Sequence, residues 1–243
     1  MYHPAQHLTG GATSQYSRLV SVIWTTSLAY AVGLIATDGC LSKDGRHIEF
    51  TSKDLDLVET FKRCLNLKNR ISWKTGGYTK KRYPHIQFGS VEIYRGLLEI
   101  GLCPKKSKCL AALLIPDEYF FDFLRGCLDG DGCIRTYPDP AYPNAIRLYV
   151  TFFSASQPYL EWLRFKVANL VNYPGFIVQR TRVWELTYAK RASQSLLKAI
   201  YYRKGLPCLQ RKYRIAEPFL QKSSCGSGGT GIRTGLRSPR GNP

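Results

Sequence analysis

The sequence predicts a mixed α/β (α+β) fold of two pseudo-symmetric halves, each with the order helix, two strands, helix, two strands, helix (αββαββα). Three observations predict it. An apolar nonapeptide ending in Asp-Gly occurs at 31–39 and again at 124–132. The same succession of periodicities and turn signals follows each copy. Hydrophobic residues make up 44% of 243 residues, enough for each half to bury a core. Each half should present an antiparallel sheet backed by helices, the two sheets together forming a saddle.

The first nonapeptide is Ala31-Val32-Gly33-Leu34-Ile35-Ala36-Thr37-Asp38-Gly39, and the second is Leu124-Arg125-Gly126-Cys127-Leu128-Asp129-Gly130-Asp131-Gly132. Both read as apolar helices that end at Asp-Gly, the glycine leaving through a left-handed conformation. The uncharged run from Leu19 to Thr37 is nearly long enough to span a bilayer. Ser21, Thr25, Thr26 and Ser27 dilute it and no basic cluster precedes it, so a buried core helix is expected, not a membrane span or a signal peptide.

After the first copy, strands over 40–43 and 46–51 should pair about Asp44-Gly45. A helix over 53–65 follows, with Leu55, Val58, Phe61 and Leu65 on one face. Strands over 70–75 and 82–88, joined through Gly76-Gly77, lead to a helix over 90–100. After the second copy come strands over 133–137 and 146–153, a helix over 158–171, strands over 176–182 and 183–188, and a helix over 192–202. The expected organisation is a flexible lead-in (1–18), a first repeat (19–104), a connection (105–117), a second repeat (118–220) and a disordered basic tail (221–243) rich in Gly, Ser and Pro.

The net charge is +18, from 35 Lys and Arg against 17 Asp and Glu. The tail supplies only Lys222, Arg233, Arg237 and Arg240, so the folded body is itself strongly basic. Such a surplus needs an acidic partner, and nucleic acid is the commonest. The cysteines at 40, 64, 103, 109, 127, 133, 208 and 225 form no C-x-x-C pair, and His3, His7, His47 and His85 lack zinc-finger spacing. They read as reduced thiols, mostly buried in apolar runs. That reading points to the cytoplasm or an organellar matrix, not to secretion.

Gly33 and Thr37 are four residues apart, as are Gly126 and Gly130, so each pair shares a helix face. Small residues there let two helix backbones approach closely. Asp38 and Asp131 would then emerge side by side. Adjacent carboxylates repel unless a cation lies between them. Hard oxygen donors suit Mg2+, which takes one or two carboxylates plus water and phosphate oxygens. This is the donor set of metal-assisted phosphodiester hydrolysis.

Strand alternation separates core from ligand-facing residues. Ile48, Phe50, Ile71, Trp73, Ile86, Phe88, Ile146, Leu148, Val150 and Phe152 should face the helices. His47, Glu49, Thr51, Ser72, Lys74, His85, Gln87, Arg147, Tyr149 and Thr151 should face outward. A sheet ribbon fits the major groove, where such side chains read base edges. Candidate DNA contacts are therefore Arg46, His47, Lys74, His85, Gln87, Arg135, Arg147, Tyr149, Gln179, Arg180 and Arg182. Lys80, Lys81 and Arg82 are placed on phosphates.

The two nonapeptides resemble the LAGLIDADG motif of homing endonucleases, and the order of elements from about Ser27 to Leu220 is similar. The resemblance implies a monomeric, site-specific double-stranded DNA endonuclease that cuts both strands of a long asymmetric target. It implies Mg2+, or another divalent cation such as Mn2+, held by Asp38 and Asp131 with backbone carbonyls at Thr37 and Gly130. Ala36 departs from the motif's sixth position, which varies and is not the ligand; Asp129 keeps the acid there. Basic residues near the scissile phosphate would be Lys53 after Phe50-Thr51-Ser52, Lys106 in Pro104-Lys105-Lys106-Ser107, and Lys212 in a loop at Leu209-Gln210-Arg211-Lys212. Phe153-Ser154-Ala155-Ser156 lacks the counterpart of Lys53, so the two sites should be unequal. The alternatives are a group I intron maturase, with intron RNA as partner, or a catalytically inactive DNA-binding protein.

Overall fold

The computed structural model describes residues 23–76, 80–106, 109–142 and 145–221. The expected lead-in, the tail from 222, and Gly77, Ser107 and Cys225 lie outside them. Helix α1 (Thr26–Asp38) opens the first repeat. Thr25 caps it, its Oγ1 accepting from the Leu28 N–H at 3.1 Å. Ala29 to Ala36 are buried without a break, so an all-round apolar helix is enclosed on every side. Among the described residues, no helix is long and apolar enough to cross a membrane.

Strands β1 (Gly39–Leu41) and β2 (His47–Thr51), helix α2 (Leu55–Cys64), strands β3 (Ser72–Thr75) and β4 (Arg82–Gly89), and helix α3 (Val91–Glu99) follow. The second repeat runs α4 (Phe120–Asp129), β5 (Cys133–Pro138), β6 (Ile146–Ser154), α5 (Gln157–Val171), β7 (Phe176–Gln179), β8 (Trp184–Ala189) and α6 (Arg191–Ile200). The expected αββαββα order thus occurs twice. Each sheet is antiparallel, in the orders β1-β2-β4-β3 and β5-β6-β8-β7. The Asp44-Gly45 turn forms as expected. Asp44 Oδ1 accepts from the N–H groups of Arg46 and His47 at 3.0 Å each, and Gly45 takes φ +77°.

Several expectations need correction. Gly39 and Gly132 do not leave their helices left-handed; Gly39 has φ −76°. They are small for lack of space. A Cβ on Gly39 would lie 2.6 Å from Ile35 Cα, and one on Gly132 would lie 2.7 Å from Leu128 Cα. The chain folds straight back over the last turn of each motif helix. The segment from Gln210 is a helix, α7 (Gln210–Ala216), not a loop. Strand β7 stops at Gln179, and Arg180 and Arg182 sit in the following turn, where the Arg180 N–H donates to Val183 O at 2.8 Å.

The core positions also have exceptions. Trp73 and Ile146 are 48% and 62% exposed, because the helices do not extend over those strand ends. Leu55, at the start of α2, is likewise exposed. Thr151 is buried, its Oγ1 3.1 Å from Thr187 Oγ1. The reading of every cysteine as a reduced, buried thiol fails for Cys103 and Cys109. A turn closed by the Cys109 N–H on Lys106 O at 3.0 Å brings them together, and they form a disulfide. Cys40 is exposed, Cys64 and Cys133 are half-buried, and Cys127 and Cys208 are buried.

Candidate active site and nucleic-acid face

Helices α1 and α4 touch through their glycines. A Cβ on Gly33 would stand 2.1 Å from Phe123 O and 2.9 Å from Gly126 Cα. One on Gly126 would stand 2.1 Å from Tyr30 O and 3.0 Å from Gly33 Cα. Backbone meets backbone at both positions, so no larger residue fits without moving a helix. One turn further on, a Cβ on Gly130 would meet Thr37 Oγ1 at 2.0 Å and Asp38 Oδ2 at 2.9 Å. Gly33, Thr37, Gly126 and Gly130 therefore all lie along this contact, and it delivers Asp38 and Asp131 to the same place.

Both aspartates line a cleft of about 530 Å3, with Lys53, Tyr83, Gly130, Arg211 and Lys212 also on its wall. Burial and then the neighbouring Asp131 carboxylate push the Asp38 carboxyl up to about 7; Lys106 and Lys212 oppose this. Two hard carboxylates whose repulsion is only partly offset fit a Mg2+-type cation. Among the described residues there is no group of three or more His, Cys, Asp or Glu that could hold a metal ion. The Thr37 hydroxyl is not a free donor to the cleft, since it bonds back to the carbonyls of Gly33 and Leu34 at 3.2 and 3.1 Å.

The three lysines differ. Lys53 is exposed on the cleft wall. Lys106 is half-buried, donates to Gly39 O, and shares a small cavity with Thr37 and Asp131. Burial lowers its pKa, opposed by Asp38 and Asp131. Lys212 is 4% exposed, and its Nζ donates to the carbonyls of Leu128, Asp129, Gly130 and Gly132 at 2.6, 2.8, 3.1 and 2.7 Å. Its protons are committed to backbone, so it closes the C-terminal end of α4. Burial lowers its pKa to about 8. Gly130 O, an expected metal ligand, is one of the carbonyls it holds.

Sequence reasoning missed the network behind this site. Asp129 is fully buried and accepts from Tyr30 OH at 2.8 Å and from the Leu209 N–H at 2.7 Å, tying α1, α4 and the start of α7 together. Burial raises its pKa to about 6. Arg125, also fully buried, donates to Pro207 O, Ile200 O and Asp122 at 2.8, 2.9 and 2.6 Å. The signal was present: a charged residue inside a buried apolar helix must find partners. Arg211 pairs with Asp54 through two bonds of 2.9 and 2.8 Å, linking the second repeat to the first beside the cleft.

Strand register assigns the outward faces. Residues opposite one another share a face, so Glu49 with Gln87, Thr51 with His85, and His85 with Ser72 face outward on the first sheet. Lys74 joins them and is held by Glu49 at 2.7 Å. His47 pairs with Asp44. Arg46, Lys80 and Lys81 are exposed, and Lys80 adopts φ +51° beside Gly76. Arg82 is opposite Thr75, on the parity of Pro84 and Ile86, so it does not share this face.

On the second sheet Arg135 faces Tyr149, and Arg147 faces Tyr137. Arg147 is bound by Asp139 at 2.8 and 3.2 Å, Arg180 by Glu185 at 3.2 Å, and Arg135 donates to Cys133 Sγ at 3.4 Å. Gln179 pairs with Trp184 on the helix-side parity, so the outward residues of β7 are Phe176 and Val178. Arg182 is exposed in the turn beyond them.

A close-packed pair of motif helices, two equivalent four-stranded sheets and paired aspartates define a class, the two-repeat LAGLIDADG fold. Within that class this chain resembles the LAGLIDADG homing endonucleases, and its residues 25–99 match the family model described as the LAGLIDADG-like domain. No curated protein matches it by sequence. The homing endonuclease I-WcaI bound to its DNA recognition sequence is similar in fold at 11% identity, with 86% of this chain and 95% of that one covered and a TM-score of 0.57. The meganuclease I-SmaMI bound to uncleavable DNA is similar at 15% identity, with 79% and 87% covered and a TM-score of 0.55. Full-length DUF199/WhiA from Thermatoga maritima is similar at 17% identity and a TM-score of 0.50. Here 82% of this chain is covered, and it spans 63% of that protein's length.

Proposed function

We propose that this chain is a site-specific double-stranded DNA endonuclease of the homing type, working as a monomer on a long asymmetric target. The observation that carries the reading is the convergence of Asp38 and Asp131 in one cleft at the foot of the helix pair, with Lys53 on its wall. The net charge of +18 and the two outward sheet faces support duplex DNA as the partner. The DNA-bound meganucleases that share the fold support the same choice.

Asp38 and Asp131 would hold Mg2+ or a similar divalent cation. When bound, such an ion activates water and stabilises the leaving oxygen. The chain's own residues prepare that step. Asp129 and Lys212 fix the end of α4 and hence Asp131. Lys106 fixes the end of α1 through Gly39 O. Lys53, exposed on the wall, is the lysine free to approach a phosphate and stabilise developing charge. Ala155 stands where the second repeat would carry its counterpart, so the two strands should be cut at different rates.

The test is cleavage of a randomised duplex library in Mg2+, with Asp38→Asn and EDTA controls. Recovered cut sites that vanish in both controls support the endonuclease. A fold shared with DUF199/WhiA as well as with the meganucleases is compatible with a second reading, a DNA-binding protein that does not cut. Duplex binding without any cut product would favour it.

A further inference from the structure

We infer that the two repeats read their half-sites by different chemistry, with Tyr149, Phe176 and Val178 of the second sheet receiving thymine 5-methyl groups. This rests on the endonuclease reading, in which both sheets face duplex DNA. The outward face of the first sheet carries Glu49, Thr51, Ser72, Lys74, His85 and Gln87, each able to make hydrogen bonds. The second carries Arg135, Arg147, Glu185 and Thr187 on its outward face as well, but its edge strand β7 contributes only apolar residues there. Register puts Phe176 opposite Thr187 and Val178 opposite Glu185, both outward. Tyr149 shares this face, with the Tyr137 ring edge-on at 6.1 Å.

These apolar groups are not part of the core. Ile177, between Phe176 and Val178, packs against the buried cluster, whereas Phe176 is half exposed. The flanking cations are held by carboxylates on this side, Arg147 by Asp139 and Arg180 by Glu185. The β7 edge of the face therefore offers apolar surface beside cations already paired with carboxylates. In the major groove the thymine methyl is the apolar group on a base edge, and it matches apolar side chains whose neighbouring cations are already paired. A sheet face built to read hydrogen-bond patterns would place donors and acceptors where Phe176 and Val178 stand.

The experiment selects duplexes bound by the full chain from a random pool in EDTA. The thymines of the selected site are then replaced by deoxyuridine, one half at a time. Deoxyuridine keeps the hydrogen-bonding edge and removes only the methyl. The expected result is thymine enrichment in one half. Affinity should fall about fourfold for each contacted methyl removed from that half, as burial of one carbon group predicts. Substitution in the other half should change affinity less than twofold. The double variant Phe176→Ser, Val178→Thr should remove the β7 share of the difference, leaving at most the contact at Tyr149, with an unchanged melting temperature. No thymine enrichment, equal sensitivity in both halves, or undiminished discrimination in the double variant overturns the inference while leaving the endonuclease reading intact. Failure to bind any duplex overturns both.

Discussion

Replacing Gly126 by alanine tests the geometry on which the candidate active site depends. The added Cβ would lie 2.1 Å from Tyr30 O, 3.0 Å from Gly33 Cα and 3.0 Å from Leu34 N. All three are backbone atoms of α1, so no side chain can swing away. A comfortable carbon–oxygen contact is about 3.3 Å, so the helices must separate by about 1 Å. Overpacking of this kind costs about 1–3 kcal/mol. For a chain of this size that lowers Tm by roughly 2–12 °C. Asp38 and Asp131 stand at the far end of the same contact and must move with it. A misplacement of about 1 Å can cost about 10²-fold in rate. The assay measures Tm by calorimetry, duplex affinity in EDTA and strand cleavage in Mg2+ on one preparation. The expected outcome is a modest loss of Tm, near-normal binding and cleavage reduced on the order of 100-fold. Cleavage within threefold of the unmodified chain would refute the idea that this contact sets the spacing of the carboxylates.

Four further outcomes are expected. Asp38→Asn and Asp131→Asn should each abolish double-strand cutting while leaving duplex binding within a few-fold; a single variant cutting both strands at the normal rate would exclude a shared centre. The raised pKa of Asp38 means that the folded, metal-free protein holds its proton after the unfolded chain has lost it. Stability from this group therefore falls as pH rises from about 4 to about 7. Asp38→Asn should remove that loss, and Mg2+ should raise Tm at pH 8 in the unmodified chain but less in the variant. An unchanged pH profile of Tm in Asp38→Asn would contradict the assignment. Lys212→Met should cost about 3 kcal/mol, because four carbonyls at the end of α4, three of them in buried bonds, lose a charged donor. Lys106→Met should cost less, having one such carbonyl; equal losses in thermal melts would count against this account. Finally, duplex affinity should fall on the order of 10³–10⁵ between 50 and 200 mM salt if roughly 6–10 phosphates are contacted. A flat titration would exclude that binding mode.

The sequence determined the duplication, because it is written in short-range patterns. Asp-Gly turns, apolar periodicity and the spacing of Gly33 with Thr37 and Gly126 with Gly130 are local, and local geometry turns them into helix faces and strand order. The same patterns brought Asp38 and Asp131 into consideration together. Tertiary structure decided what alternation cannot. Whether Trp73 or Ile146 is covered depends on how far a helix from elsewhere in the chain extends over a strand end. Which face Gln179, Phe176 and Val178 occupy depends on the register of β7 against β8, and β7 ends at Gln179, three residues earlier than the pattern suggested. Cys103 and Cys109 meet because of one turn between them. The fate of Lys212 is the clearest case. As a letter beside Arg211 it is one more cation. Only the docking of α7 against the end of α4 commits its protons to four carbonyls. Burial and partner geometry are long-range properties, and they decide which charges remain free to act.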